Sequence, residues 1–523
     1  MTSMGIQKPT WAEQLDRIVK SLLVSAGVRV GLLETRDPHR SLQELVDLEC
    51  VTQSPRVDLY HFSLSARRQY HPHKRGWDEV GGPSTDPVSL LNHASTVRKG
   101  GIVVVEEGLR FLSDQGGDIR ARSALEGLLL PKGHRQSLVV LFLEAPEASQ
   151  HIPAKWAAQF VRLPFIYPSR QELQLLARKE WVQHAHRTKQ LEDVQIVISQ
   201  ADRLAEELTG LTYTMARDRL REVLVTDLDN VEAAVAVLRR YKWEKLSCDL
   251  SMCVLDTATD EAPMGLENIT RYLQIHRDRI CRSGPERARG IVLVGPPGTG
   301  KTLIARSVGN QLGLPVVEFK IASIMSSLLG ATEQRLTQAL QVLESMAPNV
   351  VFIDELDKIF GQSGSERDGG TMLRSTGTLL SWLSDNPHPN FVVATANNLS
   401  RMGEIGLTMT RSERFDGMFF VDVPGYRVRY TMLIRWLEGH LDDTSGAIAH
   451  LAERSARFSG ADLRSLTKRA MARSIYEGAT MTMAQVSDLM DCMRPKVMAL
   501  YDEFEPLRQW GRLYCEPAGL QDE

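Results

Sequence analysis

Two patterns of apolar residues alternate along the chain. From about Val28 to Pro168, short β-branched runs at residues 28–33, 101–105 and 138–143 are interspersed with helical-looking pieces, which predicts an α/β sheet domain. From about Ser169 to Leu250 the period changes. Apolar residues at three and four spacing, Leu173, Leu176 and Trp181, then Val231, Val235, Val237 and Leu238, predict a helical stretch with few strand candidates. The polar residues 256–263 read as a linker, and Gly284-Pro285 marks a turn before the next strand. A second α/β block then runs to about Tyr426, and a helical tail follows.

The two α/β blocks share a faint internal likeness. Phe160-Val161-Arg162-Leu163-Pro164 parallels Phe420-Val421-Asp422-Val423-Pro424, and residues 102–105 followed by Glu106-Glu107 parallel residues 350–353 followed by Asp354-Glu355. Residues 138–143 likewise take the place of residues 391–393. Three matches in one order suggest a duplicated fold. The alternative is chance, because any buried parallel strand is an apolar run.

Composition narrows the partners. With 62 Lys+Arg against 65 Asp+Glu the formal net charge is −3, so no bulk field favours nucleic acid or an anionic membrane. The one local basic cluster, His71-Pro72-His73-Lys74-Arg75, reads as a solvated loop. The longest apolar runs fall far short of the about 20 residues that cross a bilayer. No export signal is visible in residues 1–10, so the expected location is cytoplasmic. The six cysteines show no zinc or redox spacing, and Cys248 and Cys253 are expected to be buried thiols. His71 and His73, like His184 and His186, have no acidic or cysteine partner at ligand spacing.

The most informative segment is Gly295-Pro296-Pro297-Gly298-Thr299-Gly300-Lys301-Thr302. It follows the apolar run 291–294 and precedes the helical pattern Leu303, Ile304, Val308, the strand, loop, helix context that a phosphate-binding loop requires. Glycines let backbone N–H groups curl around a phosphate without Cβ clashes, and the helix that begins there presents its positive end to the anion. Lys301 would add a point charge for the β- and γ-phosphates of ATP, and Thr302 a hydroxyl for Mg2+. About fifty residues later, Val350-Val351-Phe352-Ile353-Asp354-Glu355 reads as a strand buried on both faces that ends in two acids. Asp354 would hold Mg2+, and Glu355 would act as general base on the attacking water. In the first block, residues 34–38 have neither the glycines nor the lysine, so that block should not bind ATP phosphates.

These motifs, together with Thr410-Arg411-Ser412-Glu413-Arg414-Phe415-Asp416-Gly417, resemble the AAA family of ATPases over about residues 265–475. Within it the chain resembles a cyanobacterial and plastid branch with a degenerate N-terminal half, on Ala347-Pro348, Trp382 and Ala394-Thr395-Ala396-Asn397. The resemblance implies a P-loop NTPase (AAA+) fold, a three-layer α/β core with a helical lid. It divides the chain into a degenerate ATPase-like α/β domain (1–168), a helical domain (169–255), a linker (256–285), the ATPase core (286–435), and the lid and tail (436–523). It makes Asn397 the polar sensor that helps orient the water, and Arg411 and Arg414 arginine fingers that reach the γ-phosphate of a neighbouring subunit in a homo-oligomer, a hexamer in this family. It also adds Leu303 and the lid residues Gly460 and Ala461 to the nucleotide-binding set. Ser459 and Asp462 also suit a helix cap, and both roles can hold together.

Two departures from the family pattern bear on mechanism. Where pore-threading members carry an aromatic, this chain reads Ser326-Ser327-Leu328-Leu329-Gly330, which favours local remodelling over threading. No H-E-x-x-H occurs, so the zinc protease half of membrane-bound relatives is absent from this sequence. Three functions stay open at this level: an ATP-driven remodeller of a protein client, a slow nucleotide-dependent assembly switch, and a DNA-associated AAA+ ATPase, for which no nucleic-acid motif stands out.

Overall fold

The computed structural model describes residues 11–520 except 25–26, 53–56, 64, 82–85, 97–100, 115, 130–136, 189–193, 226–230, 256–262, 326–330, 358–368, 398–413 and 443. The chain forms two units, residues 1–242 and 243–523.

The first unit contains strands β1 (Gly27–Glu34), β2 (Asp58–Phe62), β3 (Arg67–His71), β4 (Gly76–Gly81), β5 (Gly101–Glu106), β6 (Ser137–Glu144) and β7 (Phe160–Leu163) in one sheet of order β4-β3-β2-β5-β6-β1-β7. The pleat explains its layers. Val103, Val105, Val140 and Phe142 enter the core on one face, while Ile102, Val104, Val139 and Leu141, their chain neighbours, enter the core on the other. Near-continuous apolar runs are what a parallel sheet covered on both faces needs. The cluster His71 to Arg75 is the turn of the β3–β4 hairpin, with Lys74 paired to Asp78 at 2.8 Å. Helices Arg170–Thr188, Val194–Leu208, Tyr213–Val225 and Val231–Leu250 form a bundle around Leu173, Leu204, Leu220 and Leu238.

The second unit contains β8 (Met252–Leu255), β9 (Gly290–Val294), β10 (Val316–Phe319), β11 (Asn349–Ile353), β12 (Asn390–Ala396), β13 (Gly417–Phe420) and β14 (Glu516–Pro517), in the order β14-β13-β9-β12-β11-β10-β8. Taken in chain order, the five central parallel strands of each sheet run 5-1-4-3-2: β7-β1-β6-β5-β2 in the first and β13-β9-β12-β11-β10 in the second. A four-helix group, Tyr426–Leu437, Thr444–Arg454, Gly460–Glu477 and Met483–Glu503, follows, just as one follows the first sheet. Among the described residues no helix is long and apolar enough to cross a membrane.

Three segment assignments differ from the sequence reading. Residues 256–285, read as a linker, contain helix Glu267–Cys281, whose Ile269, Leu273 and Ile280 are buried in the core of the second sheet. Met252–Leu255, read into the helical stretch, pairs antiparallel with β10; four residues are too few for a period to show. The 435/436 boundary cuts helix Tyr426–Leu437, whose Leu433 and Leu437 pack with the helices that follow. The cysteine expectation also changes: Cys248 is exposed, and Cys253 is half-buried with its thiol donating to Glu318 Oε2 at 2.9 Å.

The loop after the first strand separates the two units. In the first, β1 passes through Thr35, Arg36 and Asp37 straight into helix Pro38–Asp47. Asp37 is buried, caps that helix by accepting from Arg40 N at 3.1 Å, and also accepts from Thr214 N and Thr214 Oγ1, both at 2.7 Å, at the start of helix Tyr213–Val225. Two helix N-termini share one carboxylate, which complements both positive ends. Arg40 adds a second tie, pairing with Glu172 and lying 4.8 Å over the Tyr213 ring. Asp37→Ala removes the side-chain acceptor of Arg40 N in the first helix and of Thr214 N in the second. The expected cost is about 1 to 3 kcal/mol, read as a lower first unfolding transition of the full chain and as faster amide exchange in residues 213–225.

Candidate active site

Strand β9 lies between β12 and β13, and all five of its residues are buried. The chain leaves the sheet at Gly295, whose N–H donates to Ala396 O at 3.2 Å. A Cβ at 295 would meet Val421 O at 2.1 Å, so only glycine passes there. Gly298 (φ +82°) and Gly300 (φ +91°) take the left-handed backbone that turns the chain into helix Lys301–Leu312. That helix has no side-chain cap, so its first N–H groups stay open to an anion.

Lys301 is buried, and its ammonium donates to Gly295 O at 2.7 Å and Pro296 O at 2.8 Å, closing the loop on itself. Burial pushes its pKa down to about 8, opposed by the charges of Asp354, Asp357 and Glu355. The site therefore holds a cation that any incoming anion would stabilise.

The acidic pair arrives from β11, buried throughout, with Asp354 exposed and Glu355 half-buried at its end. Glu355 has φ +53°, a strained backbone for a side-chain-bearing residue. Thr395 on β12 holds the turn: its hydroxyl donates to Asp354 Oδ1 and accepts from Glu355 N at 2.9 Å. Asn397 follows the same strand, with its N–H donating to Asp357 Oδ1 at 3.1 Å. Neither Thr395 nor Asp357 stands out as a functional residue in the sequence. A hydroxyl inside the otherwise apolar run 391–396 is the signal for Thr395.

From the lid side, Ser459 and Asp462 form a reciprocal cap at the start of helix Gly460–Glu477. Ala461 N donates to Gly298 O at 3.0 Å, so this helix end is tied to the loop as well as capped. A cavity of about 1050 Å³ results, lined by residues 297–304, Asp354, Glu355, Asn397, Gly460 and Ala461 among others. Its size suits a nucleotide. Gly295 and Pro296 lie behind this lining as the acceptors for Lys301. Arg414 does not line the cavity, while Arg411 and residues 326–330 lie outside the described residues.

The donor set also suits Mg2+. That ion keeps several waters and takes one or two protein groups plus phosphates, and Thr302 and Asp354 line one cavity. Among the described residues no cluster of three or more His, Cys, Asp or Glu forms an all-protein metal cage.

At the same edge of the first sheet the backbone repeats while the chemistry does not. Glu107 shares the φ of +53° with Glu355, and Thr35 N donates to Glu144 O at 2.7 Å as Gly295 N does to Ala396 O. Glu106 pairs with His61 at 2.9 Å, which holds its carboxyl below the usual range. Burial pushes Glu144 up to about 7. No lysine stands in the three-residue loop.

Comparison with known proteins agrees with this geometry. Residues 291–423 match the family model described as "ATPase family associated with various cellular activities (AAA)". A relative named "Uncharacterized AAA domain-containing protein ycf46" from Guillardia theta is 28% identical over 321 residues, 59% of this chain and 62% of that protein. The protein of the same name from Trieres chinensis is 30% identical over 282 residues, 51% of this chain and 56% of its own length. The "ATP-dependent zinc metalloprotease FtsH 3" of Synechocystis sp. is 29% identical over 237 residues, 44% of this chain and 38% of that protein. The chain thus spans under two thirds of the length of these relatives. With a glycine-built loop on β9, an acid pair on β11 and a helix end tied to that loop, residues 291–423 carry an AAA ATPase domain, and the chain is similar to the ycf46 AAA proteins over about half of its length.

Proposed function

We propose that the second unit binds ATP with Mg2+ in this cavity, hydrolyses it, and works as an oligomeric remodeller of a protein client. The observation that carries the reading is the single cavity that gathers the loop 297–302, Asp354, Glu355 and Asn397. In this reading the N–H groups at the start of helix Lys301–Leu312 and the Lys301 ammonium bind the phosphates. Leu303, Gly460 and Ala461 border the nucleotide. Thr302 and Asp354 hold Mg2+, which supplies charge neutralisation on the phosphates. Glu355 takes a proton from the attacking water, and Asn397 orients that water.

Arg414 is not among the residues that line this cavity, which is compatible with service to a neighbouring subunit, and Arg411 is assigned with it on the family resemblance. Hydrolysis then depends on assembly. The first unit, a diverged copy by its strand order, takes no phosphate, because the Asp37 carboxylate already occupies the helix N-terminus that follows β1. It is the candidate region for choosing the client.

Lys301→Ala is expected to abolish ATP binding in equilibrium titration. Glu355→Gln should bind ATP normally and turn it over at least about 100-fold more slowly in a phosphate-release assay. Unchanged turnover in both variants refutes the assignment. For Arg414→Ala, turnover should fall by about 10³ with ATP affinity unchanged, and wild-type turnover per subunit should rise with protein concentration. A partner that stimulates hydrolysis manyfold supports remodelling; a basal rate indifferent to every ligand supports a slow switch instead.

The lowered Lys301 pKa gives a pH signature. Phosphate stabilises the ammonium form, so binding raises this pKa and takes up protons near pH 8. Affinity should therefore weaken as pH rises from about 7 to about 9, and calorimetry in buffers of different ionisation enthalpy should register the uptake.

A further inference from the structure

The cavity does not end at the phosphates. Beyond the loop it continues between residues 263–266, the lid helix Tyr426–Leu437, and the segment 517–520, more than two hundred residues from the loop in sequence. No motif marks this last segment. We propose that residues 517–520 form a wall of the base-binding end of the nucleotide site and set its affinity for the base. The proposal rests on the nucleotide reading above.

The segment is held in place at every step. Glu516 and Pro517 extend the sheet as β14, parallel to β13. Ala518 N donates to Phe420 O at 3.0 Å, and Ala518 O accepts from Ile269 N at 3.3 Å. The Asn268 amide donates to Pro517 O at 3.0 Å and Gly519 O at 3.1 Å, and Leu520 N donates to Glu267 Oε2 at 3.1 Å. An irregular segment whose backbone groups are satisfied this fully has a determined position. Gly519 makes the approach possible: a Cβ there would meet Gly265 O at 2.3 Å and Glu267 Oε2 at 2.9 Å.

The chemistry of this end fits a flat aromatic base. Leu266, Val428, Met432 and Trp436 line it together with Leu520, and the guanidinium groups of Arg435, Arg464 and Arg512, which can lie flat against a base, also border the cavity. Leu520 is an apolar side chain left 72% exposed beside this lining, so an occupant that covers it gains the burial of its surface. The lid, the stretch before β9 and the tail thus meet on one volume, and only the tail's share is set by residues remote from every ATPase motif.

The test separates base from phosphate. Binding of ATP and of inorganic tripolyphosphate is measured on the full chain as wild type, Leu520→Asp, Gly519→Val and Lys301→Ala, with thermal unfolding as a fold control. The expected result is an ATP affinity about tenfold weaker in the Leu520 and Gly519 variants with tripolyphosphate affinity unchanged, while Lys301→Ala loses both. Wild-type ATP affinity in both tail variants overturns the proposal and leaves the nucleotide site standing. Parallel loss of ATP and tripolyphosphate in the tail variants also overturns it, since the tail would then be supporting the whole site. Wild-type protein that binds neither probe refutes the nucleotide reading itself, and the proposal with it.

Discussion

Burial of the parallel strands on both faces is the constraint from which the rest of the second unit follows. With β9, β11 and β12 fully buried, their side chains carry no solvent-facing chemistry, and polar groups can emerge only where strands end. All the strands that matter end on one edge because they are parallel. The glycine-rich loop, the acid pair and Asn397 therefore converge although the three segments lie about forty to fifty residues or more apart in sequence. The same burial makes Gly295 obligatory, since the loop must leave past the Val421 carbonyl.

Lys301 shows what this architecture costs and what it prepares. A buried ammonium is disfavoured, and two loop carbonyls and the three carboxylates that follow β11 offset that cost. Thr395 plays the corresponding part for the acids, holding Glu355 in a backbone conformation that it would not adopt in an unconstrained chain.

The first unit applies the same strand order to a different end. Its loop after β1 is three residues long, and a carboxylate from within the chain sits where two helices begin. One interaction thus replaces what in the second unit is an open cradle bordered by a tied lid. Such a module keeps its own helices attached with no ligand present.

Much of this was legible in the residues themselves. The buried central strands β1, β5, β6, β9, β11 and β12 show as apolar runs and the glycine-rich loop as a contiguous motif, because each depends on local backbone and burial preferences, whereas the polar edge strands β3 and β4 leave no such run. Helix Glu267–Cys281 was missed, because only Ile269, Leu273 and Ile280 of its fifteen residues are buried and its polar surroundings read as a linker. The ties that complete the sites join residues far apart: Asp37 to Thr214, Thr395 to Asp354 and Glu355, Leu520 to Glu267. Each uses an ordinary hydroxyl, carboxylate or backbone group, which leaves no period and no motif. Sequence alone determined where strands, loop and acids would lie and what chemistry they could carry. Only the tertiary structure decided which distant groups restrain them, because that depends on which chain ends the parallel sheet brings to one edge.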